Sequence, residues 1–276
     1  MKQTLLFVKM VLLLLGSVLI LSCASEDFQM STDSLSLAVN DHGNITSIKA
    51  NVIDTEFLAT NQKATLLLIR KTDSILLSPI SMSADGTVLS LSYEDGIVVQ
   101  IQVTVKKTHI SFEIVSATPQ EKIPAVIWGP YPINIGETVG EVVGVTRNQD
   151  FAIGLQALNL KTIGGFPLND AGGIENRNVA ASKTDFGSTL QAFSFDRSVE
   201  RHATVWGTHY PNMPIPPIEG ETVVGSKIAL FGSTPDKALE TIGKIELDEG
   251  LPHPMVNGEW IKTHPERSKA YFITSF

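Results

Sequence analysis

Apolar and polar residues alternate with a period of two along most of this chain, and that period constrains its fold more than any other feature. Leu35, Leu37 and Val39 alternate with polar neighbours. Asp41-His42-Gly43-Asn44 then supplies turn chemistry, and Ile45, Ile48 and Val52 resume. A strand sends successive side chains to opposite faces, so this stretch reads as two half-buried strands joined by a tight turn. Residues 64–70 form a continuous apolar strand candidate. Asp85-Gly86 separates Ile80-Ser81-Met82 from Val88-Leu89-Ser90-Leu91. Glu94-Asp95-Gly96 leads into a strand over 97–105, and another follows over 108–115. Val, Ile and Thr suit a pleated surface, and Gly and Asp supply the turns between.

The middle of the chain is less regular. Residues 124–132 contain Val126-Ile127-Trp128-Gly129-Pro130-Tyr131-Pro132. A proline lacks the N–H that a central strand needs, so the spacing predicts a strand ending at Trp128 and a rigid loop after it. Strands are expected over 151–158 and 189–195. Residues 169–182, rich in Gly, Asn and Ala, read as a long loop of the kind that often carries function. Residues 211–217 read as a proline-rich connection. One helix is expected over 235–246, before Gly250. Ser233 or Thr234 can cap it, Pro235 and Asp236 suit its first turn, and Ala238, Leu239, Ile242 and Ile245 recur at helical spacing. The expected fold class is all-β, a large β-sandwich with one short helix. Residues 270–276 read as a further strand. That leaves open a chain cut short or a final strand docked in the sheet.

The first residues carry an address. Lys2 and Lys9 precede an apolar run over 10–21, closed by Ile20-Leu21-Ser22-Cys23. The run is shorter than the ~20 apolar residues of a membrane span and has the parts of a secretory signal. Cys23, the only cysteine, resembles the acylated cysteine of the lipobox of bacterial lipoproteins. A plain cleaved signal with an unmodified Cys23 is the alternative. Ser25-Glu26-Asp27 resemble the surface-export signal of Bacteroidetes lipoproteins. The expected division is a signal peptide over 1–22, a flexible tether over 23–33 and a sandwich domain over 34–276. The resemblance implies an outer-membrane lipoprotein, exposed at the cell surface or else facing the periplasm. With one cysteine there is no disulfide within the chain. The formal charge is −8, and losing Lys2 and Lys9 makes it more negative still. That acidity argues against nucleic acid and against a basic patch for anionic lipid.

Motifs that name a reaction are absent. Gly136, Gly140 and Gly144 are spaced by four and do not form a dinucleotide fingerprint, and there is no G-x-S-x-G or H-E-x-x-H. The six histidines lack the spacing of metal ligands. Three clusters are candidates for binding. In the first, Trp128 and Tyr131 precede Glu137, Glu141, Arg147 and Asn148. A sugar presents an apolar face to a flat aromatic and hydroxyls to carboxylate, amide or guanidinium groups, so this stretch has the composition of a carbohydrate site. The plain alternative is that Trp128 is core. The second cluster is His202, Trp206, His209, Tyr210 and Asn212, with sugar contact or packing as its readings. The third is Glu246, Asp248, Glu249, His253, Glu259 and Trp260, which reads as an acid–base pair, as calcium ligands or as a solvated charged face.

Several stretches resemble a family of Bacteroidetes lipoproteins of the polysaccharide-use type. They include Trp128-Gly129-Pro130-Tyr131-Pro132, Gly140-Glu141-Val142-Val143-Gly144, Ile153-Gly154-Leu155-Gln156-Ala157-Leu158-Asn159 and Glu249-Gly250-Leu251-Pro252-His253-Pro254. The resemblance implies a galactose-mutarotase-like sandwich that precedes a barrel of glycoside-hydrolase character. Its partners would be a poly- or oligosaccharide, the membrane through the lipid anchor, and a downstream catalytic domain. Three functions follow as expectations. The first is a sugar-binding or accessory module. The second is a complete hydrolase or epimerase, with His109, His202, Glu137 and Glu141 as its acid–base candidates. The third is a structural lipoprotein without a ligand.

Overall fold

A computed structural model describes residues 26–72, 75–140, 144–165, 180–205 and 210–267. The leader, Cys23 and the strand expected over 270–276 lie outside the described residues. Among the described residues every strand pairing is antiparallel. A four-stranded sheet runs β1 (Phe28–Ser31), β2 (Leu35–Val39), β3 (Ile45–Ala50), β4 (Thr55–Glu56). Phe28 pairs with Val39, so the expected tether over 23–33 is already strand by Phe28; buried Met30 gives that segment a reason to pair. The β2–β3 connection is the tight turn that the sequence predicts, with Gly43 at φ 68°. A Cβ there would also lie 2.7 Å from Pro79 Cγ.

Two larger sheets form the sandwich. The first has eight strands. In spatial order they are β12 (Thr138–Gly140), β13 (Gly144–Arg147), β14 (Ala152–Ala157), β20 (Lys227–Ser233), β10 (His109–Thr118), β9 (Val98–Val105), β8 (Val88–Ser92) and β7 (Ser81–Asp85). The second runs β15 (Ile163–Gly164), β17 (Gly187–Phe195), β11 (Ala125–Ile133), β5 (Leu67–Thr72), β6 (Ile75–Leu77), with β16 (Ala181–Thr184) also paired to β17. Alternation sets the inner faces. Ile110, Phe112 and Ile114 of β10 and Ile228 and Leu230 of β20 meet Leu67, Ile69, Val126, Trp128 and Leu190 in one buried cluster. The four-stranded sheet adds Leu35, Leu37, Val39, Ile45 and Ile48 to the same core. Two small ribbons complete the set, β18 (Arg201–Val205) with β19 (Tyr210–Ile215), and β21 (Met255–Val256) with β22 (Glu259–Trp260).

Two proline readings need correction. β11 continues past Trp128 to Ile133, because Pro130 falls where the register against β17 shifts, a bulge that tolerates a residue without an N–H. The proline-rich stretch over 211–217 is mostly strand β19. It belongs to a two-stranded ribbon whose members each keep an open edge. Of the loop expected over 169–182, residues 169–179 lie outside the described residues, and its end opens β16.

The helix lies where the sequence predicts it, as a 3-10 turn over Pro235–Lys237 followed by α1 (Ala238–Asp248). Thr234 precedes the turn without a side-chain capping bond. Ile242 and Ile245 are buried against Ala229 and Phe231 on the outer face of β20, and Ala238 is buried too, whereas Leu239 is turned to solvent. The C-terminus closes as a Schellman motif. Gly250 N–H donates to Leu247 O (3.3 Å) and Leu251 N–H to Glu246 O (2.8 Å), with Gly250 at φ 67°. A Cβ on Gly250 meets no atom within 4 Å, so Gly250→Ala should cost backbone strain alone, about 1 kcal/mol in urea unfolding. An unchanged midpoint would show that the left-handed cap contributes nothing.

Candidate functional site

The aromatic half of the first cluster is not on the surface. Trp128 and Tyr131 are fully buried. Trp128 Nε1–H donates to Ser226 Oγ (2.9 Å), and Tyr131 O–H donates to Leu66 O (2.8 Å). Both rings point from β11 into the sandwich core, because the register shift between Trp128 and Tyr131 brings two residues three apart onto one face, so neither offers a face to a sugar. Burial pushes the Tyr131 hydroxyl well above its ordinary pKa, and it stays a neutral donor.

The polar half is brought together. Thr138 of β12 pairs with Arg147 of β13, and the two line an open cleft of about 580 Å³ with Glu137, Asn148, Gln149 and Asp150. Asn148 shapes the far wall: its Oδ1 accepts the N–H groups of Asp150 (2.9 Å) and Phe151 (2.8 Å), an Asx turn that presents Gln149 and Asp150. Glu137 Oε2 accepts Gly136 N–H at 3.0 Å. A second cleft of about 430 Å³ shares Glu137 and continues past Gly136 to Lys183, Thr184, Asp185 and Phe186. Pairing of Ile133 with Ser188 sets the β16–β17 hairpin beside the 134–137 loop. Phe186, half-buried at the tip of that hairpin, is the aromatic the two clefts contain. It lies outside all three clusters that the sequence singles out. Its signal is an aromatic inside the turn Asp185-Phe186-Gly187, where a strand pattern expects only small or polar residues.

The other sequence candidates separate. Glu141, Trp206 and His209 lie outside the described residues. His202 is exposed on β18, with Nε2 3.8 Å from Glu200. His109 is fully buried on β10, four strands from β12 and hence about 19 Å away across the sheet. His109, His202 and Glu137 therefore do not share a pocket, and neither cleft around Glu137 has a histidine among its lining residues.

The third cluster divides into two buried ion networks. Lys227, Ala229 and Phe231 share the outer face of β20, as His109, Ser111 and Glu113 share that of β10. Glu249, just past α1, reaches onto that face. Its Oε1 meets Lys106 Nζ (2.5 Å) and His109 Nε2 (3.0 Å), and its Oε2 meets Lys227 Nζ (2.9 Å). Burial pushes the Glu249 carboxyl up, but the hydrogen bonds from Lys106, Lys227 and His109 outweigh it and hold the pKa at about 2. Burial pushes His109 below its ordinary value against the pull of Glu249. A neutral ring with Nε2–H toward Glu249 and Nδ1 accepting from Thr108 Oγ1 (2.8 Å) satisfies both contacts. In the second network, Glu246 accepts from His253 Nδ1 (2.9 Å) and Lys262 Nζ (2.6 Å), while His253 stacks on Trp260 at 4.7 Å. Asp248 and Glu259 stay exposed. The solvated-face reading thus fails for Glu246 and Glu249, whose carboxylates are occupied by cations. Among the described residues, no group of three or more His, Cys, Asp or Glu is placed to hold a metal ion, calcium included. Set against models of known protein families and against curated proteins, the chain matches none.

Proposed function

We propose that this chain is a carbohydrate-binding β-sandwich module of a lipoprotein, held at the outer membrane by an acylated Cys23 and serving polysaccharide breakdown. In this reading the cleavage chemistry belongs to a neighbouring domain of glycoside-hydrolase type. The observation that carries the binding part is the convergence of Glu137, Arg147 and Asn148 in one open cleft, with Phe186 beside Glu137 in the next. A carboxylate, a guanidinium and amides serve the hydroxyl rim of a sugar, and a half-exposed ring serves its apolar face. The anchor rests on the lipobox resemblance around Cys23.

The test is calorimetric titration of the full chain with a panel of plant and host oligosaccharides. Arg147→Ala and Phe186→Ala should each weaken the best ligand about ten-fold, or 1.4 kcal/mol. An exposed control, Val52→Ala, should leave the affinity unchanged. No binding to any glycan in the panel, or binding indifferent to both substitutions, would sink the sugar reading of this cleft.

A further inference from the structure

We propose that the end of the sandwich bearing Leu76, Pro79 and Ile80 is a membrane-contact face, seated on the lipid surface to which Cys23 anchors the chain. The inference rests on the acylated-Cys23 reading above and adds to it an orientation and a second contact.

The path of the chain brings this end of the sandwich next to the anchor. β1 pairs with β2 so that Phe28 stands opposite Val39. The chain ahead of Phe28 therefore leaves at the same end as the turn of residues 40–44. Thr46 Oγ1 donates to Asp27 Oδ2 and holds the exit there. His42 and Asn44 of that turn form one wall of an open groove of about 490 Å³, and Leu76, Leu77, Pro79 and Ile80 form the other. The two walls touch: Met82 N–H donates to Asp41 O at 2.5 Å, and Gly43 packs against Pro79. Four residue steps separate Cys23 from Asp27, a reach of at most about 14 Å. Acyl chains on Cys23 would thus hold this end of the sandwich close to the bilayer.

The side chains displayed there suit that place. Leu76 and Ile80 are 42% and 55% exposed, and they line the groove together with Leu77 and Pro79, on and just after the outermost strand of their sheet. Single exposed apolar residues are ordinary, but a cluster beside a tether is what an interfacial contact uses. Val52 is equally apolar and 61% exposed, yet it lies beyond the opposite end of β3, about 20 Å away along the strand. The groove carries charges of both signs, with Lys63 and Glu94 in its lining. The contact is therefore apolar and not a preference for anionic lipid.

The acylated full chain in phosphatidylcholine vesicles tests this. Cys23 is the only cysteine, so once acylated it leaves Ile80→Cys or Val52→Cys as the one free thiol for a fluorophore. With nitroxide-headgroup lipid present, the probe at position 80 should lose about half its emission, since interfacial side chains sit at headgroup depth, and the probe at position 52 should keep its emission. The mass of the N-terminal peptide reports acylation independently. Acylated protein with equal quenching at both positions, or none at position 80, overturns the contact face and leaves the anchor standing. An N-terminal peptide without acyl chains overturns both. Quenching seen only when phosphatidylglycerol is added overturns the apolar contact in favour of an electrostatic one. None of these outcomes bears on the glycan titration, which reads a different surface.

Discussion

Replacing Trp128 with alanine should lower the unfolding free energy by about 3–5 kcal/mol, the range for truncating a large buried aromatic. The ring is fully buried, lies 6.3 Å from that of Phe112 across the sandwich, and donates to Ser226 Oγ. Ser226 is itself buried and 3.1 Å from Thr162 Oγ1, so the indole N–H closes a small polar network between the two sheets. Trp128→Phe keeps most of the apolar area and should cost less, chiefly through the lost hydrogen bond. Urea unfolding at neutral pH measures both. The sugar-platform reading of Trp128 makes the opposite prediction, a loss of glycan affinity with little loss of stability. That result would refute the buried placement.

Glu249→Gln should cost about 3 kcal/mol at pH 7, because it leaves Lys106, Lys227 and the buried His109 around a neutral amide. The cost should depend on pH with a defined sign. The folded pKa of Glu249, about 2, lies below the ordinary 4.5. The unfolded state therefore takes up the proton first as pH falls. The stabilisation is fully present above pH 4.5 and is lost as pH falls from there through about 2. At 1.36 kcal/mol per pKa unit the amount lost is again about 3 kcal/mol. Wild type and variant should accordingly differ most at pH 7 and converge toward pH 2 in denaturant titrations. A difference that stays constant across this range would mean that the carboxylate charge is not what the network contributes.

These two residues mark where local reading stopped. The period-two pattern placed the hairpin around Gly43, the strands flanking Asp85-Gly86 and the strand over 97–105. The stripe of Ala238, Ile242 and Ile245 placed the helix. Both are properties of neighbours in sequence, set by where a strand or a helix turns successive side chains. Leu239 stays exposed, because the helix packs on Ala229 and Phe231 through Ile242 and Ile245. Pro130 did not end β11, because a bulge against β17 absorbed it, and a bulge is decided by the partner strand.

The candidate site was legible in part. Glu137 and Arg147 converge because β12 and β13 are near in sequence and pair locally. Phe186 joins them only through the pairing of Ile133 with Ser188, which no local pattern announces. The chain by itself determined that its described residues would form a sandwich of antiparallel strands with a short helix, and which residue types a binding site could draw on. Tertiary structure alone decided that Trp128 and Tyr131 are core, and that Glu249 meets Lys106 and His109 across some 140 residues of chain. The physical reason is one of range. Alternation and turn chemistry act between neighbours. Burial and charge pairing depend on which distant strand comes to lie alongside.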